Sequence, residues 1–97
     1  MARIPLLPGV AQLAQAGYFT GASGRNWDAY GLDVELGAGV TDTQRVLLTD
    51  PQTSGGLLVS CDPGSVDEVL ALFRREGFED AAVIGRMEAG AARVKVD

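Results

Sequence analysis

Ninety-seven residues suit one small domain, and a chain of this size buries only about 60–65% of the surface its unfolded form exposes. A hydrophobic share of 46%, a charged share of 22% and 13 glycines describe a folded chain rich in tight turns and exclude a disordered one. Thirteen acids against eight scattered bases give a net charge of −5, which argues against general binding to nucleic acid and against adhesion to an anionic membrane. The single Cys61 excludes an internal disulfide framework and suits a reducing compartment; lying at the end of an apolar run, it is expected to be a small buried thiol. Histidine is absent, which removes the commonest general base and, with one cysteine, any zinc site of usual composition. No apolar run approaches the roughly 20 residues that span a bilayer, and the first residues lack the pattern of a secretion signal, so a cytoplasmic location is expected.

Taken in chain order, Ile4 before Pro5 is biased toward extended backbone, where a strand with more chain upstream would end. Pro8 suits a first helical residue; Val10, Leu13 and Ala14 follow at helical spacing, Gly17 stops the helix, and Tyr18 falls where a closing motif sets an apolar side chain against Leu13. Residues 20–31 hold three glycines and no sustained period, which reads as a loop. Within it, Arg25 and Asn26 can bind an oxyanion or hold a neighbouring loop, and Trp27 and Tyr30 can anchor it to the body. Leu32 to Leu36 alternates apolar and acidic residues as a short half-exposed strand, broken by Gly37-Ala38-Gly39.

Thr41 with Gln44 three residues later is a capping box, and Val46, Leu47 and Leu48 supply an apolar face before Pro51 forbids continuation. Next comes Asp50-Pro51-Gln52-Thr53-Ser54-Gly55-Gly56. Proline fixes one dihedral, the glycine pair permits close approaches, and backbone amides with the Thr53 and Ser54 hydroxyls can cradle an anion. The same residues are equally ordinary loop chemistry before a strand. Leu57 to Cys61 has the density of a buried strand. Ser65 and Glu68 repeat the capping pattern, and Val66, Val69, Leu70 and Phe73 trace one helical face. Gly77 ends this helix as Gly17 ends the first, with Phe78 standing to Phe73 as Tyr18 to Leu13. Ala82 to Met87 reads as a strand, residues 88–91 as a turn, and Arg93 to Val96 as an alternating edge strand with Val94 and Val96 inward, closing an antiparallel hairpin. The expectation is an α+β fold, a small mixed sheet of three to four strands with helices packed on it. Residues 18–49 carry little regular structure for so small a core, which suggests that they lie against something else.

Asp50-Pro51-Gln52-Thr53-Ser54-Gly55-Gly56-Leu57-Leu58 resembles the C-terminal hallmark of the selenophosphate synthetases, the selenide, water dikinases. Ile4-Pro5-Leu6-Leu7-Pro8-Gly9-Val10, Gly24-Arg25-Asn26 with Trp27 and Tyr30-Gly31, Gln44-Arg45 with Leu47-Leu48, and Ala82-Val83-Ile84-Gly85 are similar in order and spacing, so the resemblance covers essentially the whole chain. It implies a cytoplasmic enzyme that turns ATP, selenide and water into selenophosphate, AMP and phosphate with Mg2+, on the fold of the aminoimidazole ribonucleotide synthetase superfamily. Residues 1–97 would be the latter part of its C-terminal α/β domain. The ATP-binding N-terminal domain would be absent, with its reactive cysteine or selenocysteine, its lysine and the aspartates that carry magnesium; Cys61 does not match that reactive residue.

Carried over, Thr53, Ser54, Gly55 and Gly56 would face the phosphate end of a nucleotide cleft, with Asn26 and Arg25 as lesser candidates; no catalytic or metal-binding residue is assigned. Asp50 is read as a loop-ordering acceptor. The family more often has Gly-Gly-Thr where this chain has Gly21-Ala22-Ser23, which leaves the part played by Ser23 open. The chain alone is expected to hold neither ATP nor Mg2+, to partner the missing N-terminal portion, and to self-associate through an uncovered sheet edge. A non-catalytic binding or assembly module of the same fold is the alternative. A thiol enzyme built on Cys61 is disfavoured, since neither histidine nor a second cysteine accompanies it.

Overall fold

The computed structural model describes residues 3–97, and the chain divides into two compact units. The first comprises Leu6–Gly55 with Gly90–Asp97, and the second is centred on Gly56–Ala89. The strand expected to end at Ile4 reaches into Met1 and Ala2, outside the described residues; Arg3 and Ile4 themselves form a turn and a bend.

In the first unit, α1 (Val10–Gln15) starts two residues later than expected. Gly9 before it is left-handed at φ 84°, a conformation that cannot continue back into a helix, so Pro8 belongs to the preceding turn. Its end follows the sequence. Gly17 is left-handed at φ 90°, its N–H donates to the Ala14 carbonyl, and the Tyr18 N–H donates to Leu13, the paired bonds of a Schellman closure.

Residues 20–31 are not a loop. Gly21–Tyr30 form α2, preceded by an extended Thr20. Glycine, serine, asparagine and aspartate are poor helix formers, so propensity argues against this helix and tertiary contact decides for it. Its covered residues Ala22, Ser23, Asn26 and Trp27 recur at helical spacing, and Ser23 is only 1% exposed. Trp27 lies under the Arg45 guanidinium, 5.1 Å from the ring centroid, and so anchors the segment as expected, whereas Tyr30 stays exposed.

Strand β1 (Val34–Leu36) stands where alternation predicts it. The Thr41 box is complete: the Gln44 N–H donates to Thr41 Oγ1 at 3.2 Å, the Thr41 N–H donates to Gln44 Oε1 at 2.8 Å, and α3 (Asp42–Leu48) follows. Both α1 and α2 pack on α3. Their meeting holds Ala14 and Ser23, the two buried residues among those described.

The second unit carries α4 (Val66–Arg75), whose Val66, Val69, Leu70 and Phe73 are its half-buried side as the spacing predicts. Its start differs from expectation. Ser65 makes no capping bond; a 3₁₀ turn over Pro63–Ser65 leads in, with the Gly64 N–H donating to Asp62 Oδ1 at 2.8 Å. Its end repeats the closure of α1: Gly77 has φ 93°, the Phe78 N–H donates to the Phe73 carbonyl, and the two rings meet edge to face at 6.1 Å.

The sheet is smaller than three to four strands. Among the described residues it has two, β1 and β2 (Val94–Val96), and they run parallel. Val34 pairs with Val94, Glu35 with Lys95 and Leu36 with Val96, so apolar residues meet on one side and opposite charges on the other, and this match replaces the expected antiparallel hairpin. Val94 is exposed, while Val96 is half-buried. Residues 57–61 and 82–87 have strand composition but no ladder: each lacks a paired neighbour among the described residues, and a strand's backbone groups need one. Leu57 and Leu58 are each 82% exposed, and Cys61 is an exposed thiol, contrary to its expected burial.

Candidate functional site

The stretch from Asp50 to Gly55 leaves α3 through a tight exit. Thr49 Oγ1 donates back to the carbonyls of Arg45 and Val46, at 3.1 and 3.3 Å, and ends the helix before Pro51. The Asn26 side-chain amide then donates to the Thr49 carbonyl at 2.8 Å. Asn26 thus clamps the point at which α3 hands the chain to the loop. Asp50 does not order the loop as expected: its carboxylate accepts no hydrogen bond among the described residues.

Thr53, Ser54 and Gly55 are all exposed. The left-handed residue of this turn is Ser54, at φ 55°, and neither of the two glycines. A non-glycine residue there costs on the order of 1–3 kcal/mol, a strain of the kind that collects at binding loops. Gly55 serves a close approach, since a Cβ on it would lie 3.2 Å from the Gln52 Cβ. Among the described residues no hydrogen bond or ion pair joins Arg25 or Asn26 to Thr53, Ser54 or Gly55. Gly56 opens the second unit, exposed, with nothing within 4 Å of the place a Cβ would take.

A concavity lies within the first unit, where α2 meets α3. It is an open groove of about 300 Å³ whose lining includes Phe19, Ser23, Gly24, Thr43 and Arg45. Ser23 Oγ is buried and has no hydrogen-bond partner. Asp42 stands at the groove paired with Arg45, Oδ1 to Nε 3.5 Å, its own side chain almost wholly exposed. Sequence reasoning left Ser23 open because the family more often has Gly-Gly-Thr at Gly21-Ala22-Ser23; the signal that shows its burial is the recurrence of Ala22, Ser23, Asn26 and Trp27 on one helical side. Thr49 was missed because a backbone carbonyl carries no side-chain signature.

No group of three or more Asp, Glu, Cys or His stands together among the described residues.

The family described as AIR synthase related protein, C-terminal domain, matches residues 10–97. The chain belongs to that family. It is 65% identical over 95 residues to a selenide, water dikinase of Paraburkholderia xenovorans and 63% identical over 95 residues to one of Pseudomonas straminea, in each case over 98% of this chain and 27% of the relative. A selenide, water dikinase of Rhizobium meliloti is 48% identical over 96 residues, 99% of this chain and 28% of the relative. The chain therefore spans about a quarter of the length of the curated relatives it matches. No solved structure matches it. No helix among the described residues is long and apolar enough to cross a membrane.

Proposed function

We propose that this chain is the latter part of the C-terminal domain of a selenide-phosphorylating synthetase, and that it supplies one wall of the nucleotide cleft. The observation that carries this reading is the 65% identity to a selenide, water dikinase of which the chain covers 27%. The reaction is that of the complete protein: ATP, selenide and water give selenophosphate, AMP and phosphate, in the cytoplasm. Transfer of a phosphoryl group depends on a positioned nucleotide and magnesium. On this reading turnover needs the rest of the protein, and this chain contributes to the phosphoryl end of that requirement. Thr53, Ser54, Gly55 and Gly56 are the proposed phosphate-facing residues, with Arg25 and Asn26 as lesser candidates, and Asn26 also keeps the α3 exit in place.

Calorimetric titration with magnesium-ATP tests the reading, on the chain alone and mixed with the missing N-terminal portion. Heat only in the mixture supports it; silence in both overturns it.

The exposure of Leu57, Leu58 and Met87, each 82%, favours a second reading in which the chain is a non-catalytic module that assembles with itself or a partner. Light scattering addresses self-association: a self-assembling module is expected to be a dimer or larger at micromolar concentration, and a monomer throughout excludes that form of the reading.

A further inference from the structure

The first unit presents an apolar face beside α3. The groove toward α2 has a neighbour toward α1, of about 200 Å³, lined among others by Leu13, Tyr18 and Leu47. Phe19 and Val46 line both, so the two grooves adjoin. Leu13 is 54% exposed, Tyr18 72% and Phe19 55%. Single exposed apolar residues are ordinary, but two aromatic rings and a leucine gathered on adjoining grooves have the composition of an interface centre.

Two polar groups of this face lack partners. Ser23 Oγ, in the groove toward α2, is buried and has no hydrogen-bond partner. In the groove toward α1, Asp50 is half-buried, and its carboxylate makes no hydrogen bond or ion pair among the described residues. The other carboxylate, Asp42, is paired with Arg45, which leaves Asp50 as the uncompensated charge of the two grooves. A covered hydroxyl or carboxylate without a partner is destabilising. A single surface carrying a hydrogen-bonding side chain and a cation would satisfy both.

Charge and length decide what that surface is. A second copy would bring another −5 and the same unpaired Asp50, so it offers Asp50 no counter-charge of its own making. The chain covers 27% of the Paraburkholderia relative, so the greater part of such a protein lies outside it. We propose that this face is the docking surface for that remaining portion, which sets an apolar segment against Tyr18 and Phe19, a hydrogen-bonding side chain at Ser23 Oγ and a lysine or arginine at Asp50. The proposal rests on the reading of the chain as the latter part of a C-terminal domain, and it adds where the rest is seated.

The test is hydroxyl-radical footprinting of two polypeptides without nucleotide: the 97-residue chain, and the same chain joined behind the missing N-terminal portion. Oxidation of Tyr18 and Phe19 is expected to fall about fivefold in the joined protein, as exposed rings become an interface centre. Equal oxidation in the two overturns the proposal. So does protection in the 97-residue chain alone that grows with its concentration, which would give the face to a second copy. With the two portions mixed as separate chains, Phe19→Ala is expected to weaken association about tenfold and Asp50→Asn about threefold, with a smaller salt dependence. Ser23→Ala removes an unpaired hydroxyl, so the urea midpoint of the chain alone is expected to hold or rise while association weakens about tenfold. Full affinity in both Phe19→Ala and Asp50→Asn overturns the proposal. Heat from magnesium-ATP in the mixture with no change at Tyr18 and Phe19 would uphold the cleft wall without this surface; protection there with no such heat would uphold the surface and not the cleft, so the two fail separately.

Discussion

Asn26 offers a clean separation between a residue that binds ligand and one that holds the fold. Its side-chain amide donates to the Thr49 carbonyl at 2.8 Å in a half-covered position, where Thr49 is already fixed by its own bonds to Arg45 and Val46. Asn26→Ala removes the donor and leaves that carbonyl with poor access to water. The loss is the net value of one hydrogen bond, about 0.5–1.5 kcal/mol, plus part of the cost of an orphaned acceptor, so about 1–2 kcal/mol in all. Asn26→Asp should cost more, because a carboxylate oxygen then faces a carbonyl. Trp27 is the only tryptophan, follows Asn26 directly and lies under Arg45, so its fluorescence reports on this junction. In urea, with a slope of about 1 kcal/mol/M, the midpoint should fall by about 1–2 M. An Asn26→Ala midpoint within about 0.3 M of the parent would refute the clamp.

Gly31→Ala should destabilise by about 1–3 kcal/mol and alter Trp27 emission, since the new methyl would lie 2.8 Å from the indole Cε2; unchanged emission would mean that the ring moves freely. Thr41→Ala breaks the capping box of α3 and should cost about 0.5–2 kcal/mol in the same urea assay. Gly77→Ala forces a methyl-bearing residue to φ 93° and should cost about 1–2 kcal/mol, measured by loss of helical circular dichroism on heating. Cys61, being exposed, should react with a thiol reagent in native buffer as fast as in denaturant; marked protection would show that the segment after Gly56 is covered in solution.

What was legible in the sequence was what local chemistry decides. The Thr41–Gln44 box, the closures at Gly17 and Gly77 and the half-buried side of α4 each depend on residues within seven positions of one another, and each stands as read. What was not legible depends on distant partners. α2 is built from residues that favour turns, and only its packing on α3 makes it a helix. Leu57 to Cys61 fails in the opposite direction: its composition suits a covered strand, but pairing and cover come from other parts of a chain, and none is present among the described residues. For the candidate site, the loop at residues 50–56 was visible from its glycines, yet the strained residue is Ser54. The orphaned Ser23 hydroxyl could be seen only once its segment was known to be helical.

The pairing of β1 with β2 joins residues 34–36 to residues 94–96. Everything between them must be gathered in before the first inter-strand bond can form. Closing a connection of that length costs about 3–4 kcal/mol in chain entropy, against three residue pairs of ladder. The packing of α1 and α2 on α3 closes shorter connections than this one, so in the order of folding the sheet is expected to come last. The final residues of the chain are consequently structural: Val96 accepts from the Gly37 N–H at 2.8 Å, and a chain cut before Val94 would keep its helices while losing its only sheet among the described residues.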